Sequence, residues 1–549
     1  MKSLALLCCL SCLALPVSAE SIVPEQQQQN HWYQEAVAAM AKKRLTLMQN
    51  TPVSYQDALT KTQPTAKKHR AKNVILFLGD GMGVSTVTAA RILAGQRQGK
   101  MGEETLLSFE HFPYTGLSKT YNVNAQTPDS AGTMTAIMTG VKTDAGVVGV
   151  DEDVDFNQCR TVAGNELLTA LELAELAGKK TGIISTMRVT HATPAATYAK
   201  SANRDWEDDA AMPVEAKAAG CEDIASQLVN FESRLQQQYP DNNVIDGIDL
   251  VMGGGRRHFL PADKQFNTVD TSSEVEGHRQ DGRNLIEEWQ TQYPDGRYII
   301  DQQGFDTLDT SSDKKVLALF NPSHMHYEAD RANDKAGEPS LSAMTAKAID
   351  ILSQDDNGFF LMVEGGNIDP AHHAGNAFNA LNETVEFANA VTAALEKVDT
   401  SDTLIIVTAD HSHVFTLGGY AKRGNPILGK VVKYNEDDYA KDVNGKPYTA
   451  VAYANGLGFA DYGDNTNADK RYSDKAVGGR QDLTDIDTTA PGYHQESLVP
   501  LLWETHGGED VAIYAVGPGA EMVTGVNEQQ VIFHMMTQAA EYEALIKQP

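Results

Sequence analysis

Seven short apolar runs punctuate the chain without the polar alternation of a half-solvated sheet: NVILFLGD, TGIIST, IDLVMGGG, KVLALF, GFFLMVEGG, DTLIIVTAD and VAIYAVGP. Runs of this length predict parallel strands buried on both faces. Helical periodicity falls between them. In FNALNETVEFANAVTAALEKV, the residues Phe378, Leu381, Val385, Ala388, Leu395 and Val398 recur on one face, the spacing of an amphipathic helix. Strands alternating with helices predict an α/β fold, a mostly parallel central sheet flanked by helices on both faces. HWYQEAVAAMAKKRL, within residues 20–50, reads as a further amphipathic helix that needs an apolar surface to cover. A polar stretch then runs to residue 70. Residues 418–492 break the pattern, being rich in Gly, Asn, Asp and Tyr, and read as an insertion projecting from the sheet. The expected organisation is therefore a helical arm and linker at 20–70 and a main domain at 71–417 and 493–549, interrupted by 418–492.

The first nineteen residues change where this chain is expected to work. Lys2 supplies a basic start, Leu4 to Leu15 is largely apolar, and Val17-Ser18-Ala19 fits a small-residue cleavage site. This is the pattern of a secretory signal at 1–19, too short to span a bilayer, and it predicts a periplasmic or secreted protein with no membrane anchor. Three of the five cysteines lie within that segment. Cys159 and Cys221 remain, either as two buried thiols or as a disulfide closing a loop of about sixty residues, worth roughly 4 kcal/mol in the chain-entropy model. The formal charge is −29, or −30 without Lys2. Such a balance excludes nucleic acid and anionic membranes as natural partners. It fits a cation-binding or salt-adapted surface.

Candidate chemistry gathers where the strands end. NVILFLGDGMG finishes in Asp80; GFFLMVEGGNIDPAHHAGN brings Glu364, Asp369, His372 and His373; DTLIIVTADHSH brings Asp410, His411 and His413. Open α/β sheets bind ligands outside the carboxyl ends of their strands, so these clusters should meet in one crevice. Four carboxylates in one cleft repel unless cations hold them together. Imidazole with carboxylate suits Zn²⁺, and oxygen alone suits Mg²⁺. TPDSAGTMTAIMTG adds Asp129 and Ser130 at the head of a predicted helix. Such a pair often only caps the helix. Beside Zn²⁺, however, a serine at the positive end of a helix dipole can ionise and act as a nucleophile without a histidine base. No GxSxG elbow occurs, which removes the α/β-hydrolase reading.

TPDSAGT, GDGMG, VTHATPAATYAKSANR, VEGGNIDPAHHAGN, TADHSHVF and ETHGGEDVAIYAVGP, in this order, resemble alkaline phosphatase from about residue 30 to 540. The likeness is closer to the animal-type branch than to the enteric bacterial one, through HWYQEAVAAMAKKRL, FNQCRTVAGNE, NLIEEW and ADHSHVF. The resemblance implies that Ser130 is the nucleophile, passing through a phosphoserine, and that Arg204 clamps the phosphate through its planar fork. It implies one zinc on Asp369, His373 and His506, a second on Asp80, Asp410 and His411, and Mg²⁺ on Glu364, Thr193 and the shared Asp80. It makes Asp129 an orienting residue, and gives His191 a place beside the third metal. It pairs Cys159 with Cys221, turns the 418–492 insertion into a crown-like subdomain, and predicts a homodimer with the 20–50 arm on the partner subunit. His372 and His413 match no ligand and are expected to support the site. Animal-type members carry Arg and His where this chain has Asn367 and Pro370. Their additional calcium site is not expected here, because Phe320-Asn321-Pro322 replaces an acidic pattern.

The sequence thus predicts a secreted phosphomonoesterase with an alkaline optimum, acting on small phosphate monoesters. A phosphodiesterase, sulfatase or mutase of the same metal-phosphoryl superfamily is the alternative. A sulfatase would need a CxPxR-like context, which is missing around Ser130, and a diesterase commonly uses Thr as nucleophile. A non-enzymatic metal scaffold would have no use for Ser130 and Arg204.

Overall fold

The computed structural model describes residues 21–50, 70–458, 460–461 and 479–546; the expected signal at 1–19 and most of the linker lie outside them. Ten strands form the main sheet. In chain order they are β1 (Asn73–Gly79), β2 (Tyr114–Lys119), β3 (Lys180–Arg188), β4 (Leu250–Gly254), β5 (Arg297–Ile299), β6 (Val316–Asn321), β7 (Phe359–Gly365), β8 (Thr403–Ala409), β9 (Val511–Val516) and β10 (Gly525–Glu528). Their spatial order is β10-β2-β9-β8-β1-β7-β3-β4-β6-β5. β1 lies between β7 and β8, parallel to both, with Leu78 level with Glu364 and Thr408.

All seven predicted strands are in this sheet. One expectation needs correction, because β9 runs antiparallel to both neighbours, β8 and β2. Its burial alternates along Val511–Val516, as befits a strand with one face less covered. β2, β5 and β10 escaped the sequence reading because they are short edge-side strands without an apolar run.

Successive side chains of a strand point to opposite faces, and β1 divides the core accordingly. Val74, Leu76 and Leu78 join a cluster that includes Met134, Ile137, Ile532 and Met536. Ile75 and Phe77 join the cluster on the other face, with Phe387 and Val391. The helix expected around residue 385 spans Ala377–Lys397, but its fully buried stripe is Ala380, Leu381, Thr384, Phe387, Ala388, Val391 and Ala394. Phe378, Val385 and Leu395 of the predicted face are only partly covered. The helix is clamped between the sheet and its neighbours, so the tightest positions are small residues and the aromatic Phe387, whose ring meets Phe77 edge-on at 5.9 Å.

The arm makes contacts with its own chain. Within one chain, Val23, Tyr33, Ala36 and Met40 are buried. Gln27 donates to the carbonyls of Thr139 at 2.7 Å and Leu168 at 3.0 Å. Part of the apolar face of this arm packs on its own chain, beside helix Val531–Ala540, while Val37 and Leu45 stay exposed. Within the 415–500 region, Phe415–Leu417, Val451–Gly456 and Ser497–Pro500 form a separate three-stranded sheet. Among the described residues no helix is long and apolar enough to cross a membrane. Cys159 and Cys221 form a disulfide with Cα atoms 5.9 Å apart.

Candidate active site and metal centre

The crevice lies where the sequence reading placed it, beyond the carboxyl ends of β1, β7 and β8. Asp80 follows β1, Glu364 is the penultimate residue of β7, and Asp410 and His411 follow β8. A short helix, Ile368–His373, carries Asp369 and His373 back over the strand ends. His506 comes from a two-residue strand that pairs with Ser412–His413.

Ser130 is the first residue of helix Ser130–Thr139 and is buried. The Asp-Ser pair caps the helix and also turns a hydroxyl into the crevice. Asp129 caps the helix by accepting from Gly132 N at 3.1 Å, while its other oxygen takes Gly146 N at 3.0 Å and Arg204 Nη1 at 3.1 Å. Ser130 Oγ points out of the helix toward His411 Nε2 at 3.0 Å and Asp80 Oδ1 at 3.4 Å. Arg204 is braced on its other side, donating from Nη2 to His191 Nε2 at 3.1 Å. Its guanidinium is thus fixed before any substrate arrives.

The histidine geometry tests whether metals belong here. His373 Nδ1 lies 2.6 Å from the carbonyl oxygen of Glu504, and His506 Nδ1 lies 2.7 Å from that of Pro128. A carbonyl only accepts, so both Nδ1 atoms carry the ring proton and both Nε2 atoms present lone pairs. These two lone pairs face each other at 3.0 Å, with Asp369 Oδ1 at 3.2 Å and 3.3 Å. Two acceptors and a carboxylate at that range repel one another unless a cation sits among them. Carbonyl-anchored imidazoles of this kind are the outer support of metal sites. His411 repeats the arrangement: Nδ1 meets the Ser412 carbonyl at 3.2 Å, and Nε2 faces Asp80 and Asp410 at 3.3 Å each. The two sets adjoin, for Asp369 also groups with Asp80 and His411.

A third group joins Asp80, His191 and Glu364. Glu364 accepts from Ser185 Oγ through one oxygen and leaves the other buried without a partner. Thr193 Oγ1 is 3.4 Å from Asp80 Oδ2. Burial pushes the Glu364 carboxyl up to about 8. Asp80 is raised well above the ordinary range by burial and by Asp410, Asp369 and Glu364. An unpartnered buried oxygen among strained carboxylates fits an oxygen-ligated cation. His191 Nδ1 is likewise buried and unpartnered, close enough to this group to reach it.

His413 and Glu504 complete the site; His413 takes the supporting place expected of it, and Glu504 went unnoticed in the sequence. His413 Nε2 meets Asp369 Oδ1 at 2.9 Å and its Nδ1 meets Glu504 Oε2 at 2.6 Å. Against the burial that would lower it, Glu504 and Asp369 push this imidazole up to about 10. It is therefore a built-in cation that aims Asp369, while His373, Asp369 and His506 face the crevice. The i, i+2 spacing of His411 and His413 was the available signal, since alternate residues of an extended segment share a face. His372 is buried and satisfied by Thr86 Oγ1 at 2.9 Å and Tyr453 OH at 2.8 Å, a supporting position. Trp503, unremarked in the sequence, stacks on His373 with ring centroids 4.9 Å apart.

Comparison with known proteins agrees with this geometry. A family model described as alkaline phosphatase matches residues 71–542. The tissue-nonspecific alkaline phosphatase isozyme of Gallus gallus is 44% identical over 533 residues, covering 96% of this chain and 92% of that protein. The corresponding isozyme of Homo sapiens is 43% identical over 525 residues, covering 95% and 90%. The solved structure of alkaline phosphatase from the Antarctic bacterium TAB5 matches 86% of this chain and 99% of its own, with a TM-score of 0.56 at 23% identity, a likeness of fold. Thermus thermophilus alkaline phosphatase gives 0.57 at 22% identity over 86% and 92%. On the family match and the identity to the animal isozymes, this chain belongs to the alkaline phosphatase family.

Proposed function

We propose that the chain is a secreted, metal-dependent phosphomonoesterase that works through a phosphoserine at Ser130. The observation that carries this reading is the position of Ser130 Oγ, at a helix head and 3.0 Å from His411 Nε2, beside three groups of converging ligands. Asp369, His373 and His506 would hold one zinc, Asp80, Asp410 and His411 a second, and Asp80, Thr193 and Glu364 a magnesium. Those ions supply Lewis-acid stabilisation of the attacking and leaving oxygens and neutralise the clustered carboxylates.

The protein's own groups do the rest. Ser130 Oγ attacks phosphorus as it loses its proton; the new Oγ–P bond forms as the ester P–O bond breaks and the alcohol departs with a proton. Water then attacks the phosphoserine, returning Ser130 and releasing inorganic phosphate. Arg204, held between Asp129 and His191, offers paired N–H donors to two non-bridging oxygens without having to reorganise. The amide N–H groups at the head of helix Ser130–Thr139 add positive potential where the phosphoryl charge sits. His413 and Glu504 fix Asp369. Because these contacts grip only the phosphoryl group, the alcohol portion is left to vary, which suits a broad range of monoesters.

Secretion rests on the signal-like 1–19 segment and agrees with a disulfide between Cys159 and Cys221. Homodimerisation rests on the family resemblance and is tested by sedimentation. The mechanism itself is tested by quenching the enzyme at low pH during turnover of a ³²P-labelled monoester. Label is expected on the peptide carrying Ser130; label on any other residue overturns the assignment.

A further inference from the structure

Four residues beyond Arg204 the chain turns away from the phosphate crevice and gathers two histidines that the proposed chemistry does not use. We propose that Asp208, His258 and His278 form a second, peripheral zinc site, open to solvent and separate from the catalytic ligands.

The three donors come from separate segments that the backbone locks together. Asp208 caps the short 3₁₀ turn Asp209–Ala211, with Oδ1 accepting from Ala211 N at 3.1 Å. That bond fixes the carboxylate and leaves Oδ2 for other partners. Oδ2 lies 2.6 Å from His258 Nδ1 and 3.5 Å from His278 Nδ1. The loop bearing His278 is pinned on both sides: His278 N donates to the Arg257 carbonyl at 2.9 Å, Arg279 N to that of Leu260 at 3.0 Å, and Gln280 N to Asp209 Oδ1 at 2.9 Å. The buried Arg279 guanidinium, 2.9 Å from Asp223, holds the loop down. The ligand positions are therefore set before any ion binds, which is what a metal site requires of its scaffold.

Ring geometry agrees. The two imidazoles stand 5.4 Å apart at 81°. Two imidazoles on one tetrahedral zinc, each with a Zn–N bond of about 2.0–2.1 Å, have centres about 5 Å apart. The Asp208–His278 separation of 3.5 Å is already an edge of such a tetrahedron. The Asp208–His258 separation of 2.6 Å is a hydrogen bond, which an ion would open to roughly 3.3 Å.

The proton balances within His258. Without metal, its Nε2 accepts from Arg257 Nε at 3.2 Å, so Nδ1 carries the proton shared with Asp208. With metal on Nδ1, the ring proton moves to Nε2, where Glu207 Oε2 waits 3.3 Å away. Glu207 itself is held by Arg188 at 2.8 Å. A carboxylate behind a ligating histidine is the usual outer support of zinc.

A capping aspartate with a buried histidine explains Asp208 and His258 but not His278. The His278 side chain is 45% exposed, and it turns the pair into a set of two nitrogens and one oxygen with a fourth place open to water. That donor set selects zinc over magnesium or calcium.

The test uses full-length enzyme with its catalytic centre loaded, equilibrated against buffered micromolar free Zn²⁺ and counted by mass spectrometry. His278→Ala, at an exposed position outside the catalytic crevice, is expected to hold one zinc fewer per chain with the hydrolysis rate unchanged. Asp208→Asn should show the same deficit. On replacement by Co²⁺, the visible absorption of the parent should exceed that of His278→Ala by one site. Equal zinc in parent and His278→Ala overturns the proposal. A deficit accompanied by loss of hydrolysis also overturns it, because the missing ion would then belong to the catalytic centre.

Discussion

Both ends of the central sheet bury carboxylates, and the comparison between them separates chemistry from architecture. At the amino ends of β3, β4 and β6, Asp249 meets Lys180 at 2.8 Å and Lys315 at 3.2 Å, and the same lysines reach Asp246 at 3.1 Å and 3.4 Å. The chain supplies both signs of charge and closes the cluster. At the carboxyl ends of β1, β7 and β8, Asp80 and Asp410 have His411 as their neighbour at 3.3 Å, and one Glu364 oxygen has no partner. Beside Asp80 and Asp410 a neutral imidazole stands where the other end places lysine, and the cations nearby, Arg204 and His413, are already committed to Asp129 and to Asp369 with Glu504. An acidic cluster that brings its own cations is a fastener. One that leaves carboxylates short of cations requires ions from outside, and that requirement is the more telling mark of a reactive site.

The largest effect expected at the carboxyl end comes from Ser130→Ala. Removing the nucleophile forfeits the two-step path, so kcat should fall by about 1000-fold or more, with the melting temperature nearly unchanged. A loss below tenfold in hydrolysis of a chromogenic phosphomonoester would show that Ser130 only begins its helix.

Chelation should sort the two ends directly. Stripping metals with EDTA is expected to abolish most activity and to lower Tm by several degrees, since ions that bind only the folded state stabilise it. Returning Zn²⁺ with Mg²⁺ should restore both. Activity that survives exhaustive chelation would remove the external cations from the scheme, and with them the distinction between the ends.

How far the sequence reveals this contrast depends on what each end is made of. The carboxyl end was legible because its donors lie in tight runs directly after apolar strands, as in TADHSH and VEGGNID. Asp80, Glu364, Asp369, Asp410 and His411 all come from such runs. Glu504 and Trp503 were not legible, since the apolar stretch before them runs on from Ser497–Pro500, a strand of the small separate sheet and not of the main one. The amino end was equally hidden: Lys180, Asp249 and Lys315 look like ordinary surface charges until the sheet sets β3, β4 and β6 side by side. Strand order, and the reversal of β9, likewise come from long-range pairing that no local periodicity encodes.

A smaller effect is expected from Asp249→Asn at the amino end. The change leaves Lys180 and Lys315 with Asp246 alone, which is half-exposed. The expected loss is roughly 2–3 kcal/mol, below the usual range for breaking a buried pair because a second carboxylate remains. Urea unfolding measures it, and kcat per folded molecule should be unchanged. A variant that keeps its stability but loses activity would reverse the assignment of the two ends.

The smallest effect expected sharpens the comparison at a single carboxyl group. Glu175 is buried behind the lysine cluster; one oxygen accepts from Asp246 N at 2.9 Å and Gly247 N at 2.7 Å, and the other lies 3.1 Å from Thr181 Oγ1. Burial first, then Asp249 and Asp246, raise its pKa well above the ordinary value. A carboxyl group raised on folding binds its proton more tightly in the native state. Its contribution is complete below the unfolded pKa near 4.3 and is lost as pH rises through the raised value. Glu175→Gln keeps the shape: the amide oxygen can take both backbone N–H groups and the amide nitrogen can donate to Thr181 Oγ1. The variant should therefore lie within about 1 kcal/mol of the parent near pH 4, and gain on it steadily as pH rises toward 9, because the unfolded parent ionises while the folded parent must hold its proton or ionise a buried group. Paired urea titrations across that range read the difference. If the parent gains on Glu175→Gln as pH rises, Glu175 is ionised in the folded protein, and the amino end holds its lysines with three charged carboxylates rather than two.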